Sequence, residues 1–390
     1  MKKPEWLSWI VPSFFVNKGG MKMKINKKEF LEALNAVKGA VSNNSPIPAM
    51  TGVLMEITPS SLVLTGTNSV VSIQVNVDTE ASKYEASETE EVCLRADMLS
   101  DMISRSGETL EFKVDGPRVR LKSDGAKYTI NGINAKDFPS IDFKGTSSTL
   151  KMNSAELLDM LEKVSFAASS KDTRPILTGI NFSMKNGVLV ALATDSYRLS
   201  RITSQRSETC EFNFTMPMST YKLLKRVIKP DDSKEIDISV TDRDVSFKSN
   251  GAVIKSTLLD GGYPEVNRLI PSSFRYEVTL SKKELLNALQ RGSIFKNDGI
   301  AVFKARITDG KFSLSTENKE FGDFGEELSA KTSGGDFSLA MSGNYAMDAL
   351  SAINSDEVII DFVGDMKPFI LKGSDDARIT ELLLPIRTYN

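Results

Sequence analysis

Hydrophobic residues recur with helical spacing in three segments that lie almost equally far apart along the chain. Between Lys27 and Asn43, apolar side chains fall on one face of a helix. The same glutamate-apolar-leucine core returns in segments 154–170 and 281–297, at offsets of 127 and then 128 residues. The pattern predicts three amphipathic helices, with Ser154 and Ser281 as N-caps of the second and third.

A second helical pattern also occurs three times, once after each of the first set. These further helices are predicted over 95–106, 218–229 and 342–353. Each precedes a segment in which apolar and polar residues alternate, such as Leu110, Phe112 and Val114. Polar breaks with the sequences DGPR, TDRD and GDMK follow those segments and indicate hairpin turns.

Single residues repeat as well, over the stretches 47–72 and 174–200. Four positions find an identical residue 127 positions further on: Pro48 and Pro175, Thr51 and Thr178, Gly52 and Gly179, Thr67 and Thr194. An aromatic-proline pair recurs at 138–139 and 263–264. A period near 125 residues is far too long for a solenoid unit and indicates repeated domains.

These elements predict an α+β protein of three repeated domains, each with two helices packed on an antiparallel sheet. Short polar linkers at 144–149 and 271–275 mark the boundaries. The predicted domains are 21–147, 148–271 and 272–390. Residues 1–20, which hold both tryptophans, are predicted to be a disordered extension or to precede a true start at Met21 or Met23.

Composition narrows the possible chemistry. The 390 residues carry 49 basic and 51 acidic side chains, a net charge of −2, so the whole molecule is no polycation. The absence of histidine excludes histidine-dependent triads and histidine-ligated zinc enzymes, and we expect neither metal nor cofactor. Two isolated cysteines and the lack of a membrane-length apolar run favour a cytoplasmic protein with no membrane association.

Four phrases at the right spacing carry a family resemblance: TRPILTGINF, ATDSYRLS, LLDGGYPEVNRLIP and the C-terminal LLLPIRTYN. With the repeats, they make residues 21–390 resemble the bacterial sliding clamp, the beta subunit of DNA polymerase III. The resemblance implies three DNA-clamp domains that form half of a closed ring, in a head-to-tail homodimer. Repetition of one unit suits such closure, because near-identical interfaces can then close on themselves.

The resemblance also implies the function. The chain would be a non-catalytic processivity factor of DNA replication that encircles double-stranded DNA and slides on it without sequence specificity. Sliding favours phosphate contacts, which carry no sequence information and are screened by salt. The implied partners are the DNA polymerase III alpha subunit, the clamp loader, and repair and other proteins that carry a clamp-binding motif.

A hydrophobic groove for partner peptides is implied in the second domain and the C-terminal tail. Buried leucine and aromatic anchors worth about 1.5–3 kcal/mol each would give affinities on the order of micromolar after ordering costs. Tyr197 stands where family members often have histidine. The implied groove residues are Leu177, Thr194, Tyr197, Arg198, Leu199, Pro264, Arg268, Leu269, Tyr345, Pro368, Leu384, Pro385, Ile386 and Arg387.

Dimer closure is implied to pack Tyr128 against Ile294 and Phe295 of the partner subunit, with burial within one chain as the rival interpretation. The expected DNA contacts are Lys171, Arg174, Lys222, Lys225, Arg226, Lys229, Lys282, Lys283, Arg291 and Lys296. The chain departs from the best-known pattern at Asn44, Pro175 and Ile176. Charges over the six helical segments and their flanks sum to +6, against −8 for the rest of the chain.

Two alternatives stay open at this point. A diverged clamp paralogue that binds partner peptides outside the main replisome would carry the same groove and ring. An enzyme with a nucleophile in Thr194–Ser196 is disfavoured, because no general base, phosphate-binding glycine loop or metal cluster accompanies it and Thr-Asp-Ser after a strand is a common turn.

Overall fold

The computed structural model describes residues 20–143 and 150–387, which belong to two compact units that meet in sequence between Ile141 and Asp142. The predicted extension before Gly20 and the predicted linker 144–149 lie outside the described residues. In the described ranges no helix is long and apolar enough to span a membrane.

The first unit holds one copy of the repeat. Its strands form a five-stranded sheet in the order β5-β1-β7-β8-β9 and a second set paired as β4-β3-β2-β6, all antiparallel. Its elements are β1 (Met21–Asn26), α1 (Lys27–Lys38), β2 (Gly52–Thr58), β3 (Ser61–Thr67), β4 (Val71–Asn76), β5 (Glu85–Ala86), β6 (Glu90–Arg95), α2 (Ala96–Ser104), β7 (Thr109–Asp115), β8 (Arg118–Ser123) and β9 (Ala126–Asn131).

The second unit begins with another copy, in which four strands instead of five separate the two helices. A sheet of nine strands, β14-β11-β12-β13-β26-β25-β24-β18-β22, joins this copy to the one that follows. The elements of the copy are β10 (Leu150–Asn153), α3 (Ser154–Ser165), β11 (Gly179–Lys185), β12 (Val188–Thr194), β13 (Arg198–Gln205), β14 (Phe212–Pro217), α4 (Met218–Val227), β15 (Glu235–Val240), β16 (Asp244–Ser249) and β17 (Ala252–Thr257).

The third copy completes the second unit and contributes a separate four-stranded sheet, β21-β20-β19-β23. Its elements are β18 (Tyr276–Ser281), α5 (Lys282–Gly292), β19 (Val302–Thr308), β20 (Lys311–Asn318), β21 (Gly322–Leu328), β22 (Ala330–Ser333), β23 (Phe337–Ser342), α6 (Gly343–Ala352), β24 (Glu357–Phe362), β25 (Phe369–Gly373) and β26 (Ile379–Leu383). All six predicted helices and the alternating strands that follow them are therefore confirmed.

Helices cover one face of each sheet, as alternation along the strands requires. In β1, buried and exposed residues alternate from Met21 to Ile25. The ring of Phe30 in α1 lies 5.6 Å from that of Phe112 in β7, so the helix packs on the buried face of the five-stranded sheet. The opposite face of that sheet carries its polar side chains.

The repeated residues occupy equivalent places. A short 3-10 turn covers Pro48–Thr51 in the first copy and Pro175–Thr178 in the second, and in each the threonine hydroxyl donates to the proline carbonyl, at 2.8 and 2.7 Å. The glycine that follows, Gly52 or Gly179, starts a strand against a neighbour so close that a Cβ would lie within about 2.5 Å of it. Steric need thus accounts for the repeated glycine.

One predicted cap is wrong. Ser154 is the first residue of α3, and the N-cap is Asn153, whose side chain accepts from the backbone N–H groups of Ala155 and Glu156. Asparagine and serine cap equally well, so the capping preference alone could not place the boundary. Ser281 does cap α5, accepting from the N–H of Glu284 at 3.4 Å.

The first residue of the first helix in each copy instead ties to the end of the second helix. Lys27 Nζ donates to the carbonyl of Ser104 at the end of α2, over 2.8 Å. Ser154 Oγ lies 2.9 and 3.2 Å from two carbonyl oxygens just beyond α4. Lys282 Nζ donates to the carbonyl of Ile353, directly after α6. We call these contacts the helix ties. Those of Lys27 and Lys282 satisfy carbonyls that a helix end leaves open.

Candidate functional site

A tight turn after β12 presents the residues of the predicted groove. Asp195 Oδ1 accepts from the N–H groups of Tyr197 and Arg198 at 2.9 and 3.0 Å, and the hydroxyl of Thr194 donates to the carbonyl of Arg198 at 2.6 Å. Ser196 at the tip has φ +78°, a conformation that the short side chain tolerates in a turn. The turn holds Tyr197 outward, where 60% of it is exposed.

An apolar cluster lies directly below this turn. Leu199 of β13 and Leu382 of β26 are paired across the two strands and buried, and Val266 packs with them. Leu384 and Ile270 cover the cluster while remaining partly exposed. The cluster brings together residues of the second and third copies, more than 180 positions apart in sequence.

Tyr263 closes one side of the cluster. Its hydroxyl oxygen accepts from the backbone N–H of Thr194 at 3.0 Å, and burial raises the pKa of the phenol. The short 3-10 turn Asn267–Leu269 that follows leaves Leu269 56% exposed beside the cluster. Two large apolar side chains, Tyr197 and Leu269, therefore project from a buried apolar floor.

Arg198 lies deeper than a rim residue. Its side chain is 13% exposed, pairs with Asp195 at 3.0 Å and also contacts the carboxylate of Asp348. The guanidinium stacks 4.5 Å from the ring centroid of Tyr345 and 5.3 Å from that of Phe166. Because Asp195 and Asp348 engage two of its donors, the side chain ties the turn to α6.

The C-terminal strand is fixed by backbone bonds on both sides. The N–H of Leu384 donates to the carbonyl of Tyr197 at 3.0 Å, and that of Ile386 donates to Ala340 at 2.8 Å. Pro385 between them is half-buried, like Pro368 near the start of β25. Leu177 is buried, whereas Pro264, Arg268 and Arg387 are exposed.

A buried polar cluster lies one residue behind the apolar floor. Glu381 of β26 is 1% exposed and opposes Ser200 of β13, which is fully buried. Ser200 Oγ lies 2.8 Å from Glu381 Oε1 and 2.9 Å from the carbonyl oxygen of Lys163. Burial raises the pKa of Glu381 well above its ordinary value, against the opposing effects of the Ser200 bond, Arg198 and Lys163. Sequence reasoning missed this cluster, since a glutamate in an alternating strand normally points outward.

The predicted DNA-contact residues fall on the second and third copies, in or just beyond α3, α4 and α5. Three of them are already engaged: Lys225 pairs with Glu162 at 2.7 Å, Arg291 with Glu326 at 2.5 Å, and Lys282 forms its helix tie. Among the other predicted DNA-contact residues, those that are exposed and have no described ion pair are Lys171, Arg174, Lys222, Arg226, Lys283 and Lys296.

The cationic charge sits mainly at the helix ends. Within their observed bounds, α1 to α6 carry +1, −2, −2, +3, +2 and −1, a total of only +1. The larger sum expected from the sequence comes from five flanking residues: Arg95, Arg105, Lys171, Lys229 and Lys296. Four of the five follow a helix C-terminus, and two of these, Arg105 and Lys229, lie within two residues of it, where the helix dipole favours a cation.

The residues predicted for dimer closure lie at exposed edges. Tyr128 is half-buried on β9, an edge strand of its sheet. Ile294 is 75% exposed after α5, next to half-buried Phe295. Phe321, which sequence reasoning missed, is 69% exposed immediately before β21, an edge strand of the four-stranded sheet. An isolated apolar residue in an acidic turn gave no pattern that could have identified it.

Among residues 20–143 and 150–387, no group of three or more acidic or cysteine side chains is arranged to hold a metal ion. Cys93 and Cys210 are both free thiols, and burial raises the pKa of Cys93 to about 12. The candidate functional surfaces are the groove, the exposed cations and the exposed sheet edges.

Comparison with known proteins covers the whole described chain. Family models for the DNA polymerase III beta subunit match in order, the N-terminal domain over residues 21–142, the central domain over 151–265 and the C-terminal domain over 267–387. The curated beta sliding clamp of Staphylococcus aureus is 30% identical over 377 residues, which span 95% of this chain and all of that protein.

Solved structures agree with the family match. The DNA polymerase sliding clamp of Bacillus subtilis has a TM-score of 0.90 at 27% identity, covering 95% of this chain and 100% of its own. The beta chain of DNA polymerase III from Streptococcus pneumoniae has a TM-score of 0.89 at 28% identity, covering 94% of this chain and 100% of its own. Since all three domains and the groove-bearing strands fall inside these matches, the chain belongs to the DNA polymerase III beta subunits, the sliding clamps that act as processivity factors in DNA replication.

Proposed function

We propose that this chain works as a homodimeric ring that encircles duplex DNA in the cytoplasm and tethers replication and repair proteins through the groove at Tyr197 and Leu269. The observation that carries the proposal is the apolar floor formed by Leu199 and Leu382, with those two exposed side chains beside it, on a chain of this family. The proposed partners are the polymerase III alpha subunit, the clamp loader and other proteins with a clamp-binding motif.

The groove suits a short linear peptide. A leucine and an aromatic anchor set on partly exposed Leu384 and Ile270 would each gain about 1.5–3 kcal/mol from burial. Exposed Arg268 and Arg387 are the arginines with room to bond a peptide backbone or carboxylate. After ordering costs, affinities on the order of micromolar follow, which would let partners exchange on one clamp.

The cations support non-specific contact with DNA. Lys222 and Arg226 on α4 are exposed and free of described ion pairs, as is Lys283 on α5. Lysine and arginine at such positions contact phosphates without reading bases. We propose no catalytic role, because a ring gains processivity by keeping its polymerase at a high effective concentration near the primer end.

Two exposed sheet edges support the proposed dimer. β9 and β21 each lie at the edge of a sheet. An exposed edge strand is a template for pairing with another chain. Ile294 and Phe321, which immediately precedes β21, are both exposed. Head-to-tail pairing of β9 with the partner's β21 would bury Tyr128 against apolar Ile294 and Phe321 of the partner subunit.

Retention on DNA of different topology tests encirclement. After loading, the wild-type protein should remain on nicked circular DNA through gel filtration at moderate salt and be lost when a restriction enzyme linearises the circle. Equal loss from circular and linear DNA would contradict encirclement.

Peptide capture tests the groove separately. Deletion of residues 385–390 should abolish pull-down of the polymerase III alpha subunit while dimerisation and retention on circular DNA persist, because Pro385, Ile386 and Arg387 belong to the proposed groove and the cations do not. Undiminished pull-down by the deletion variant would rule out the groove as the tether.

A further inference from the structure

A cavity of about 770 Å³ lies on the first unit, which holds neither the groove nor the predicted DNA contacts. It is a trough across the polar face of the five-stranded sheet β5-β1-β7-β8-β9, and we call it the sheet trough. The backbone at Met23, Phe112 and Leu121 forms its floor, since the side chains of these residues are buried on the other face. Phe30 of α1 packs there, so the trough faces away from the helices of its unit.

Two rows of side chains wall the trough, and the strand register fixes their order. One row runs Lys22, Lys113, Arg120 and Thr129 from β1 to β9. The other row runs Lys24, Glu111, Lys122 and Lys127 over the same strands. Six of these eight wall residues are cations and one is an anion, in a protein whose net charge is −2.

The first row places like charges directly opposite one another. Lys22 opposes Lys113, and Lys113 opposes Arg120, so three cations stand on adjacent strands about 4.8 Å apart. Like charges in this arrangement destabilise a sheet. None of the six wall cations forms an ion pair with a described residue, although Glu85 and Glu111 also line the trough. An anionic ligand would relieve this repulsion.

The dimensions select the shape of that ligand. The two rows lie two residues apart along the strands, or about 6.8 Å between their Cα positions, a narrow spacing that favours one extended chain over a duplex. Crossing five strands at about 4.8 Å each gives a length of roughly 19 Å. The ligand is therefore a single linear polyanion with charge at short, regular intervals.

We propose that the sheet trough binds the phosphate backbone of single-stranded DNA. A nucleic acid strand has a charge on every unit, which matches the three cations on adjacent strands in the first row, and a replication clamp works where single strands are exposed. The second row adds Lys122 and Lys127 beyond Glu111. The outward wall residues include no aromatic side chain for base stacking. Tyr128 pairs with buried Leu121 and therefore lies on the opposite face of the sheet. Binding is accordingly independent of sequence and steeply dependent on salt.

The test measures fluorescence anisotropy of a labelled oligothymidylate titrated with the full chain. The variant K22A/K113A removes two wall cations that lie away from edge strand β9. At about 0.1 M salt it should weaken binding roughly 25-fold and reduce the salt slope by about 1.4, because each single-strand phosphate contact contributes about 0.7. The matched control is K304A/R306A, which removes two exposed cations from β19, where the cross-strand neighbours are serine and alanine. The control should lose less than about twofold.

Several results would overturn the proposal. They are the absence of oligothymidylate binding to wild type, equal loss in both variants, or a comparable loss in K222A/R226A, which would place the strand on the helices. A labelled oligoglutamate peptide that binds through Lys22 and Lys113 when oligothymidylate does not would assign the trough to an acidic protein segment instead. Retention on circular duplex should be unchanged in K22A/K113A, so failure here is distinguishable from failure of the ring.

Discussion

Replacing Glu381 with glutamine should remove a pH dependence from the stability of the groove. Ser200 has one hydroxyl proton but lies within hydrogen-bond distance of two acceptors, Glu381 Oε1 at 2.8 Å and the Lys163 carbonyl at 2.9 Å. A protonated Glu381 resolves this, because the carboxyl O–H donates to Ser200 and Ser200 donates to the carbonyl. If Glu381 were ionised, one of the two short contacts of Ser200 Oγ would have no hydrogen atom between its oxygens, and the carboxylate charge would be buried away from water.

The sign and size of this pH dependence follow from the difference in the pKa of Glu381 between the folded and the unfolded protein. A carboxyl titrates near pH 4.3 in the unfolded chain, and burial raises the pKa of Glu381 well above that in the folded protein. Its contribution to the free energy of unfolding is therefore complete below about pH 4 and is lost as pH rises through the folded pKa. Within that window the loss approaches about 1.4 kcal/mol per pH unit. A glutamine side chain cannot ionise, so E381Q should lack this slope.

Urea unfolding followed by circular dichroism, from about pH 5 to about pH 8, gives the free energy of unfolding of wild type and of E381Q. The other titrating groups cancel in the difference between the two free energies. Because the chain has two compact units, hydrogen exchange of β13 and β26 gives the local readout. The S200A variant serves as control, because it loses about 1–3 kcal/mol with the hydroxyl but keeps the carboxyl of Glu381, and it should therefore keep a pH-dependent stability. A wild-type minus E381Q difference that stays constant over this range would refute the assignment of a neutral Glu381.

Three further predictions concern single side chains. Y197A should leave the free energy of unfolding within about 0.5 kcal/mol of wild type but weaken a clamp-binding peptide at least about tenfold in calorimetry, because Tyr197 is 60% exposed; a lower melting temperature with intact affinity would contradict this. I294D should yield monomers by analytical ultracentrifugation with an unchanged circular dichroism spectrum, because Ile294 is 75% exposed within one chain, and an unchanged dimer would exclude Ile294 from the interface. K282M should lose about 1.5–3 kcal/mol of stability with the helix tie to Ile353, whereas exposed K283A should not; equal stability of the two variants would mean that the Lys282 ammonium is free for DNA.

Much of the fold was accessible from the sequence because each copy repeats the same local signals. The helical period found all six helices, and identical proline, threonine and glycine residues marked equivalent turns. Boundaries were less certain: α1 ends at Lys38 and α3 at Ser165, each about five residues before the apolar pattern fades. Apolar residues continue past those ends because the following segments also pack inward, as with buried Ala40 and Ala167.

The site was less predictable, since it depends on contacts between distant segments. Family likeness pointed to Leu199 and Leu384, but a lone sequence could not show that Val266 would share their cluster or that Arg198 would be bonded internally to Asp348. Alternation places Glu381 on the same face as buried Ile379 and Leu383, but a glutamate normally points outward, so the sequence did not predict its burial.

The helix ties carry a mechanical consequence. Each one joins residues 71 to 77 positions apart, linking the beginning of one helix to the end of another. Such a bond resists sliding of the two helices past each other, so that a sideways force on either is shared by the pair and transmitted to the strands beneath. The bond is made by an ammonium in the first and third copies and by a hydroxyl in the second, so two different chemical groups serve one mechanical role.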